Sequence, residues 1–243
     1  MKRIEASETV GDIVKTSPAR SVVFERWGID YCCGGKMSLM EACAKRESDI
    51  DLVLGELADC DSHSESVREH LFTEMSLGEL CDHIESHHHA YLKMNLPRIT
   101  KLIDKVNNAH GKKHPEITEL ATVFTEFRSE LELHMGKEEK ILFPAIRKMM
   151  QTQPFEHGRH ESIENMLRVM ESEHETAGNA LLVIRGLTHN YAPPADACNT
   201  FRALYTALAD LELDMHLHVH KENSILFPAA LDREHAHHLT RQL

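Results

Sequence analysis

The sequence predicts an all-α protein in which a small helical N-terminal domain precedes an up-down four-helix bundle. No region alternates apolar and polar residues as a half-buried strand does. The 243 residues include only 11 glycines and 8 prolines. Short turn-rich breaks separate four long amphipathic segments, at roughly 76–108, 114–150, 160–190 and 195–232. Short connections between long helices favour antiparallel neighbours, and therefore an up-down bundle.

The predicted organisation has three parts: a helical domain at 1–58, a polar linker at 59–75 and the bundle at 76–243. In the first part, Thr9 or Ser7 can cap a short helix and Ser17-Pro18 can open a second one. Gly28 is a plausible end for that second helix, and Ser38 is a plausible start for a third. A further helix is expected at about 48–60, with Leu52, Leu54 and Leu57 as its apolar residues.

The net charge, the N-terminal sequence and the lengths of the apolar runs restrict which partners and which cellular location we expect. The formal net charge is −12, from 39 acidic and 27 basic residues. A nucleic-acid partner is not expected, because phosphate binding needs a basic face. The start MKRIEASETV lacks the apolar stretch of a signal peptide, and no apolar run approaches the roughly 20 residues that span a bilayer. We therefore expect a cytoplasmic monomer or homodimer with no membrane partner and with six reduced cysteines.

A repeated motif carries the main chemical signal. Residues 134–145 read HMGKEEKILFPA and residues 218–229 read HVHKENSILFPA, at an offset of 84. His134 with Glu138 and His218 with Glu222 are therefore i, i+4 pairs, which lie on one face of a helix. An imidazole and a carboxylate in that arrangement can hold a metal ion, and two copies suggest two ions.

These pairs fall on the predicted apolar face of each helix. The last helix has Leu211, Met215, His218, Glu222, Ile225 and Ala229 in steps of four and three; the second repeats this with Phe127, Leu131, His134, Glu138, Ile141 or Leu142, and Ala145. His174 lies in the same phase on the third helix. Buried carboxylates without a partner cost several kcal/mol. The pattern therefore predicts a cation in the bundle.

The first helix offers three candidate ligands, His87, His88 and His89. The upstream apolar residues favour His88 and the downstream ones favour His89, so periodicity does not decide. The repeat favours His89, which precedes His174 by 85 residues. The predicted ligand set is His89, His134, Glu138, His174, His218 and Glu222. Nitrogen and oxygen ligands without sulfur suit iron, manganese or zinc.

Cys32 and Cys33 are adjacent and precede two glycines. Sequential Cα atoms lie about 3.8 Å apart, whereas an unstrained disulfide needs about 4.4–6.8 Å. A bridge between them would be strained and easily reduced. The functional interpretation is redox exchange, transient iron binding or delivery to a partner; the structural alternative is two small residues in a tight turn.

The segments WGIDYCCGGKMSL, HHAYLKMNLPRI, HMGKEEKILFP, MESEHETAGNALLVI and HLHVHKENSILFP together resemble the RIC (repair of iron centres) proteins, the iron-sulfur cluster repair di-iron family. The resemblance covers nearly the whole chain. It implies a hemerythrin-like bundle and a non-haem di-iron centre with oxo and carboxylate bridges. It also carries the six metal ligands and the Cys32-Cys33 pair over to this sequence.

The resemblance implies repair of iron-sulfur proteins that nitric oxide or oxidants have damaged, by iron donation, nitric oxide handling or both, with Cys32 and Cys33 as transfer thiols. We expect a repair protein rather than a conventional enzyme. The alternatives are a hemerythrin-like protein that binds or senses nitric oxide or oxygen, and a di-iron nitric oxide reductase. A pure carrier has no need for the cysteine pair.

Overall fold

The computed structural model describes residues 4–63, 72–150 and 163–239. In these residues every regular element is helical, and the β-pairing consists of an isolated bridge between Thr9 and Ser38. The predicted all-α class is confirmed. Contacts divide the chain into two units, Met1–Leu80 with His216–Leu243 and Cys81–Met215. None of the described helices has the length and apolar character needed to cross a bilayer.

The first unit contains the short N-terminal helices and the C-terminal part of the last long helix. Its N-terminal elements are α1 (Val10–Thr16), a 3₁₀ turn (Pro18–Arg20), α2 (Ser21–Trp27), α3 (Leu39–Lys45), α4 (Ile50–His63) and a 3₁₀ turn (Phe72–Glu74). The Thr9 side chain caps α1, and Ser38 forms a capping box with Glu41 at the start of α3. Gly28 ends α2 at φ +64°, a conformation that glycine adopts readily.

Three details of this unit differ from the sequence expectation. Ser17-Pro18 opens a 3₁₀ turn, and the α-helix itself begins at Ser21. In α4, Leu52 is exposed, while Val53 and Leu57 are buried. Helix α4 also continues to His63, into the segment predicted as a linker, and residues 64–71 of that segment lie outside the described residues. The three-part division of the chain therefore stays a prediction.

The second unit is an antiparallel bundle built from α5 (Leu77–Ile84) after Leu80, from α10 (Asn199–Lys221) up to Met215, and from the whole of α6 (Ala90–His110), α7 (Glu116–Lys137), α8 (Phe143–Met150) and α9 (Ile163–Leu187). Side-chain contacts join the helices in a ring. Helix α7 contacts α6 through Arg128 and Thr100, and it contacts α9 through His134 and Glu173. Helix α10 contacts α9 through Glu212 and Arg185, and its Asp214 contacts His88, which precedes α6. The predicted turn-rich break between the second and third long segments, at residues 151–159, lies outside the described residues.

Three of the long helices contain a five-residue π-helical segment. These segments are Glu85–His89 between α5 and α6, Glu138–Leu142 between α7 and α8, and Glu222–Leu226 between α10 and α11 (Phe227–Leu239). In the two copies of the repeat, the N–H of the following phenylalanine donates to the carbonyl of the first glutamate. Pro144 and Pro228 come next; a proline has no N–H for the α-helical bond and clashes with the carbonyl four residues earlier. The Phe-Pro pair therefore favours the wider turn.

The π-segments shift the helical phase by one residue, so in the two repeat copies the predicted apolar face is correct before the segment and one position off after it. Ile146 and Ala230 are buried, whereas Ala145 is only partly buried and Ala229 is exposed. Of the two candidates at 141 and 142, Leu142 is the buried one.

A matched pair of leucines on α7 tests the packing of the bundle. Leu120 is fully buried and Leu133 is 68% exposed. We expect Leu120→Ala to lower the free energy of unfolding by about 2–5 kcal/mol, because it leaves a cavity. Leu133→Ala should change it by no more than about 0.5 kcal/mol. Urea denaturation of the metal-free protein, followed by circular dichroism, measures both; equal effects would contradict the assigned core.

Candidate metal centre

Glu138 is the centre of the candidate site in the second unit. It starts the π-segment after α7, and its side chain has 0% exposed surface. One carboxylate oxygen lies 3.3 Å from Nε2 of His89, and the other lies 3.2 Å from Nε2 of His134. Each oxygen therefore faces a different imidazole. A carboxylate that bridges two metal ions presents its oxygens in this way.

His174 completes a group of three around one of these oxygens. Its Nε2 lies 3.0 Å from Nε2 of His134, and the ligand atoms of His134, Glu138 and His174 all lie within 4.8 Å of one another. Two ligands bound at about 2.1 Å and at a right angle would be about 3.0 Å apart. The imidazole and carboxylate donors of this unit thus fit a first-row divalent ion, and iron is among the ions that such donors suit.

The second copy of the repeat has the same local form in the first unit. His218 lies in the last turn of α10, and Glu222 starts the π-segment that follows. Nε2 of His218 lies 3.1 Å from an oxygen of Glu222, and both side chains are fully buried. The repeat in sequence is therefore a repeat in backbone geometry, side-chain burial and donor spacing.

Two outer carboxylates orient the histidines of the second unit. Nδ1–H of His89 donates to Glu139 at 2.8 Å, and Nδ1–H of His134 donates to Glu173 at 2.9 Å. These bonds leave Nε2 of each ring with its lone pair directed at Glu138, the arrangement that tunes metal-binding histidines. We assign the tautomers from these bonds.

Lysines hold both outer carboxylates in place, Lys93 on Glu139 and Lys137 on Glu173. Partial burial opposes ionisation, but the hydrogen bonds from the lysine and the histidine outweigh it and lower the pKa of each carboxyl. Sequence reasoning missed both glutamates. Asn223 occupies the place of Glu139 in the second repeat, so a comparison of the two copies does not point to Glu139. For Glu173, the available signal was its position next to His174.

His88 and His89, in the π-segment between α5 and α6, have different surroundings. His89 faces Glu138, while Nδ1–H of His88 donates to Asp214 at 2.8 Å. Both rings are buried and His87 is exposed. The π-segment at Glu85–His89 explains why the sequence favoured both positions, since it shifts the apolar face by one residue between the upstream and downstream turns.

A cleft of about 220 Å³ reaches this site between α7 and α9. It is lined by apolar residues, by the polar side chains of Glu130, Lys137, Glu173 and Thr176, and by His134 and His174. A small molecule in this cleft could therefore contact these two histidines.

The cysteine pair lies in the first unit, on a turn fixed by Asp30. The Asp30 carboxylate accepts hydrogen bonds from the backbone N–H groups of Cys32, Cys33 and Gly34. The two sulfurs are 3.9 Å apart, as thiols. The hydrogen bond to Cys33, burial and the negative charge of Asp30 raise the pKa of Cys32 well above its ordinary value. Cys32 is therefore protonated at neutral pH.

The same turn is attached to the helix that carries His218 and Glu222. Burial lowers the pKa of His220 to about 4, and its neutral ring donates from Nδ1 to the carbonyl of Tyr31 at 3.3 Å. The side-chain amide of Asn223 donates to the carbonyl of Cys32 at 3.4 Å. His220 and Asn223 flank Glu222, so the cysteine turn and this part of the helix are bonded to each other.

Buried imidazoles and carboxylates on the facing helices of an antiparallel bundle define a cation-binding helical protein. A family model described as the hemerythrin HHE cation binding domain matches residues 81–230, and one described as a domain of unknown function (DUF542) matches residues 6–61. The chain belongs to the hemerythrin HHE cation-binding family, in the group of the iron-sulfur cluster repair protein YtfE, which confirms the family predicted from the motifs.

Its similarity to curated relatives extends along nearly the whole chain. It is 37% identical to the iron-sulfur cluster repair proteins YtfE of Dickeya chrysanthemi (strain Ech1591) and Enterobacter sp. (strain 638), and 36% identical to that of Escherichia coli O81 (strain ED1a). Each alignment spans 227 residues, 93% of this chain and 98% of the relative. Each of these alignments is long enough to include most of both matched regions, and the relatives are similar in length to this chain.

The structure predicts a clear difference among the three adjacent histidines. His89→Ala should reduce bound iron about tenfold or more, because it removes a donor that faces Glu138. His88→Ala and His87→Ala should keep their iron. Metal analysis and visible absorption of the three purified variants measure this. If His88→Ala loses the metal and His89→Ala retains it, the assignment of His89 is wrong.

Proposed function

We propose that this protein acts in the cytoplasm to repair iron-sulfur clusters damaged by nitric oxide or oxidants, using a non-haem di-iron centre. The observation that carries the proposal is the near full-length similarity to proteins named for iron-sulfur cluster repair. Damaged iron-sulfur proteins are the proposed clients. The proposed form is a monomer or a homodimer, with nitric oxide or oxygen as small ligands.

The proposed ligands of the di-iron centre are His89, His134, Glu138, His174, His218 and Glu222, with carboxylate and oxo bridges. Three observations support this set. The matched hemerythrin region, 81–230, includes all six residues. All six are buried. The two repeat copies place histidine and glutamate at the same spacing, at 3.2 Å and 3.1 Å. Such a centre supplies exchangeable iron and coordination positions for a diatomic molecule.

The surrounding residues have separate tasks in this proposal. Glu138 would bridge the two metal positions, because its two oxygens face different histidines, His89 and His134. Glu139 and Glu173 fix the tautomers of His89 and His134. The cleft between α7 and α9 admits small molecules to His134 and His174, while the Lys137–Glu173 pair lines its wall. Iron that leaves for a client is cargo, and Cys32 and Cys33 are the proposed transfer thiols.

A second candidate function is binding or sensing of nitric oxide or oxygen, or reduction of nitric oxide, at the same centre. The cleft that leads to His134 and His174 favours it. The two candidates differ in what they require of the cysteine turn. A binding protein or a reductase works without thiols in the first unit, whereas transfer of iron to a client uses them.

We expect about two iron ions per chain in protein from iron-replete cells. Glu138→Leu and Glu222→Leu should each lose at least about half of this iron, because the bridge is gone, while apolar packing preserves the helix. Glu126→Leu, at an exposed position of α7, is the matched control and should keep it. Metal analysis together with circular dichroism decides; full iron in either bridge variant would show that its glutamate is not a ligand.

The repair proposal is tested by adding the iron-loaded protein to a dehydratase whose cluster nitric oxide has inactivated. Wild type should restore activity. Cys32→Ser/Cys33→Ser should retain both irons but restore activity about tenfold more slowly or worse, because thiolates are the softer iron ligands. Cys198→Ser, at an exposed site, is the control. No recovery with wild type would reject repair, and full recovery with the double variant would leave the cysteine turn a structural feature.

A further inference from the structure

A second group of metal-ligating side chains lies in the first unit, apart from the residues assigned to the di-iron centre. Ligand atoms of Asp30, Cys32 and Cys33 all lie within 4.8 Å of one another. The sulfurs are 3.9 Å apart, and Sγ of Cys32 is 3.2 Å from Oδ1 of Asp30. This group has two sulfur donors and one oxygen donor, whereas the di-iron ligands are nitrogen and oxygen.

The spacing of these atoms matches a tetrahedral ion. With metal–sulfur bonds of about 2.3 Å, two thiolates on one tetrahedral ion lie about 3.8 Å apart. A carboxylate oxygen bound at about 2.0 Å would lie about 3.5 Å from each sulfur. The observed 3.9 Å and 3.2 Å are close to these separations. A disulfide would need the sulfurs at about 2.05 Å.

The backbone holds the three side chains in this arrangement before any ion binds. Oδ1 of Asp30 accepts the N–H groups of Cys32 and Cys33, and Oδ2 accepts the N–H of Gly34. Oδ1 also accepts the thiol of Cys32 at 3.2 Å, and a metal ion that displaces this thiol proton would take its place on the carboxylate. Gly35 approaches so closely that a Cβ there would lie 2.7 Å from the carbonyl oxygen of Tyr31. The turn therefore requires glycine at this position.

One side of the group opens to solvent. Cys33 lines an open surface depression together with Gly34, Lys36, Met37, Glu41 and Lys45. Three protein ligands and an open side leave a fourth coordination position for a donor atom of another molecule. A metal site that keeps an open position exchanges ligands, whereas a closed four-ligand site is structural.

We propose that Asp30, Cys32 and Cys33 form a second metal site, which takes a thiophilic divalent ion and, in the cell, carries Fe²⁺ as cargo. The proposal rests on the iron-donation form of the proposed function. Binding replaces the two thiol protons, which pass to solvent, and forms two metal–thiolate bonds; no electron is transferred. Two thiolates and one carboxylate are softer than the nitrogen and oxygen set of the bundle, so the two sites differ in the ions they prefer.

Cobalt(II) tests this site in the full-length reduced protein, because thiolate ligands give a charge-transfer absorption that histidine and carboxylate ligands do not. Titration of wild type should give this absorption, with two protons released per ion at the site. Cys32→Ser and Cys33→Ser should each lose it. Cys43→Ser and Cys198→Ser, which alter thiols outside the group, should retain it. Absence of the absorption in wild type would overturn the proposal.

Asp30→Asn tests the carboxylate. The amide oxygen can still accept the N–H groups of Cys32 and Cys33, while the charge is lost. We expect the affinity for cobalt to fall about tenfold or more. Asp49→Asn is the matched control, since Asp49 also accepts backbone N–H groups, at the start of α4, and its variant should bind as wild type does. Wild-type affinity in Asp30→Asn would remove Asp30 from the site.

A measurement on unmodified protein guards against a variant that fails to fold. Cobalt or zinc should slow alkylation of Cys32 and Cys33 in wild type about tenfold, while Cys198 reacts at an unchanged rate, as mass spectrometry of the peptides would show. Equal rates with and without metal would contradict the site. These readouts do not involve cluster repair: repair without thiolate binding would reject this inference alone, and thiolate binding without repair would reject the proposed function alone.

Discussion

The burial of the Glu138 carboxylate constrains the structure around it. A buried charge without compensation costs several kcal/mol, and this side chain has no exposed surface. His89 and His134 face its two oxygens, Glu139 and Glu173 hold those imidazoles, and the outermost partners are the part-exposed Lys93 and Lys137. Charges and dipoles thus alternate from the core to the surface. A metal ion between Glu138 and the histidines would supply the positive charge that neutral imidazoles lack.

The π-segments determine where these donors point. Glu138 and Glu222 each begin such a segment, and His89 ends one. Each segment changes the helical phase, so the turns before it and the turns after it bury different faces of the same long helix. In the two repeat copies, Pro144 and Pro228 explain the wider turn, because neither can make the α-helical hydrogen bond. The third segment has no proline at the equivalent place, and within it two successive side chains, His88 and His89, are both buried.

The first unit connects sulfur chemistry to one of the proposed ligand helices. The carbonyls of Tyr31 and Cys32 accept hydrogen bonds from His220 and Asn223, on either side of Glu222. A raised pKa keeps Cys32 protonated, and a thiol is a poor ligand until a metal displaces its proton. In the proposed second metal site, a thiophilic ion would displace the proton of Cys32 and bind its thiolate, and this is the behaviour that the proposed transfer of iron requires.

The sequence by itself determined the all-α class, most helix limits within a few residues and the cap residues Gly28 and Ser38, while Thr9 and Ser7 stayed alternatives at the first cap. These follow from local patterns, apolar periodicity and capping chemistry, and the family follows from the resemblance of the motifs. Only the tertiary structure decided that His88 and His89 are both buried with different partners, that Glu139 and Glu173 orient the histidines, and that Asp30 joins the cysteine pair. The histidine contacts depend on side chains far apart in sequence, such as His88 and Asp214, and on a change of helical phase that the α-helical period of 3.6 residues does not contain. The contact of Asp30 with the cysteines is local, but it depends on the backbone conformation of an irregular turn, which apolar periodicity does not predict.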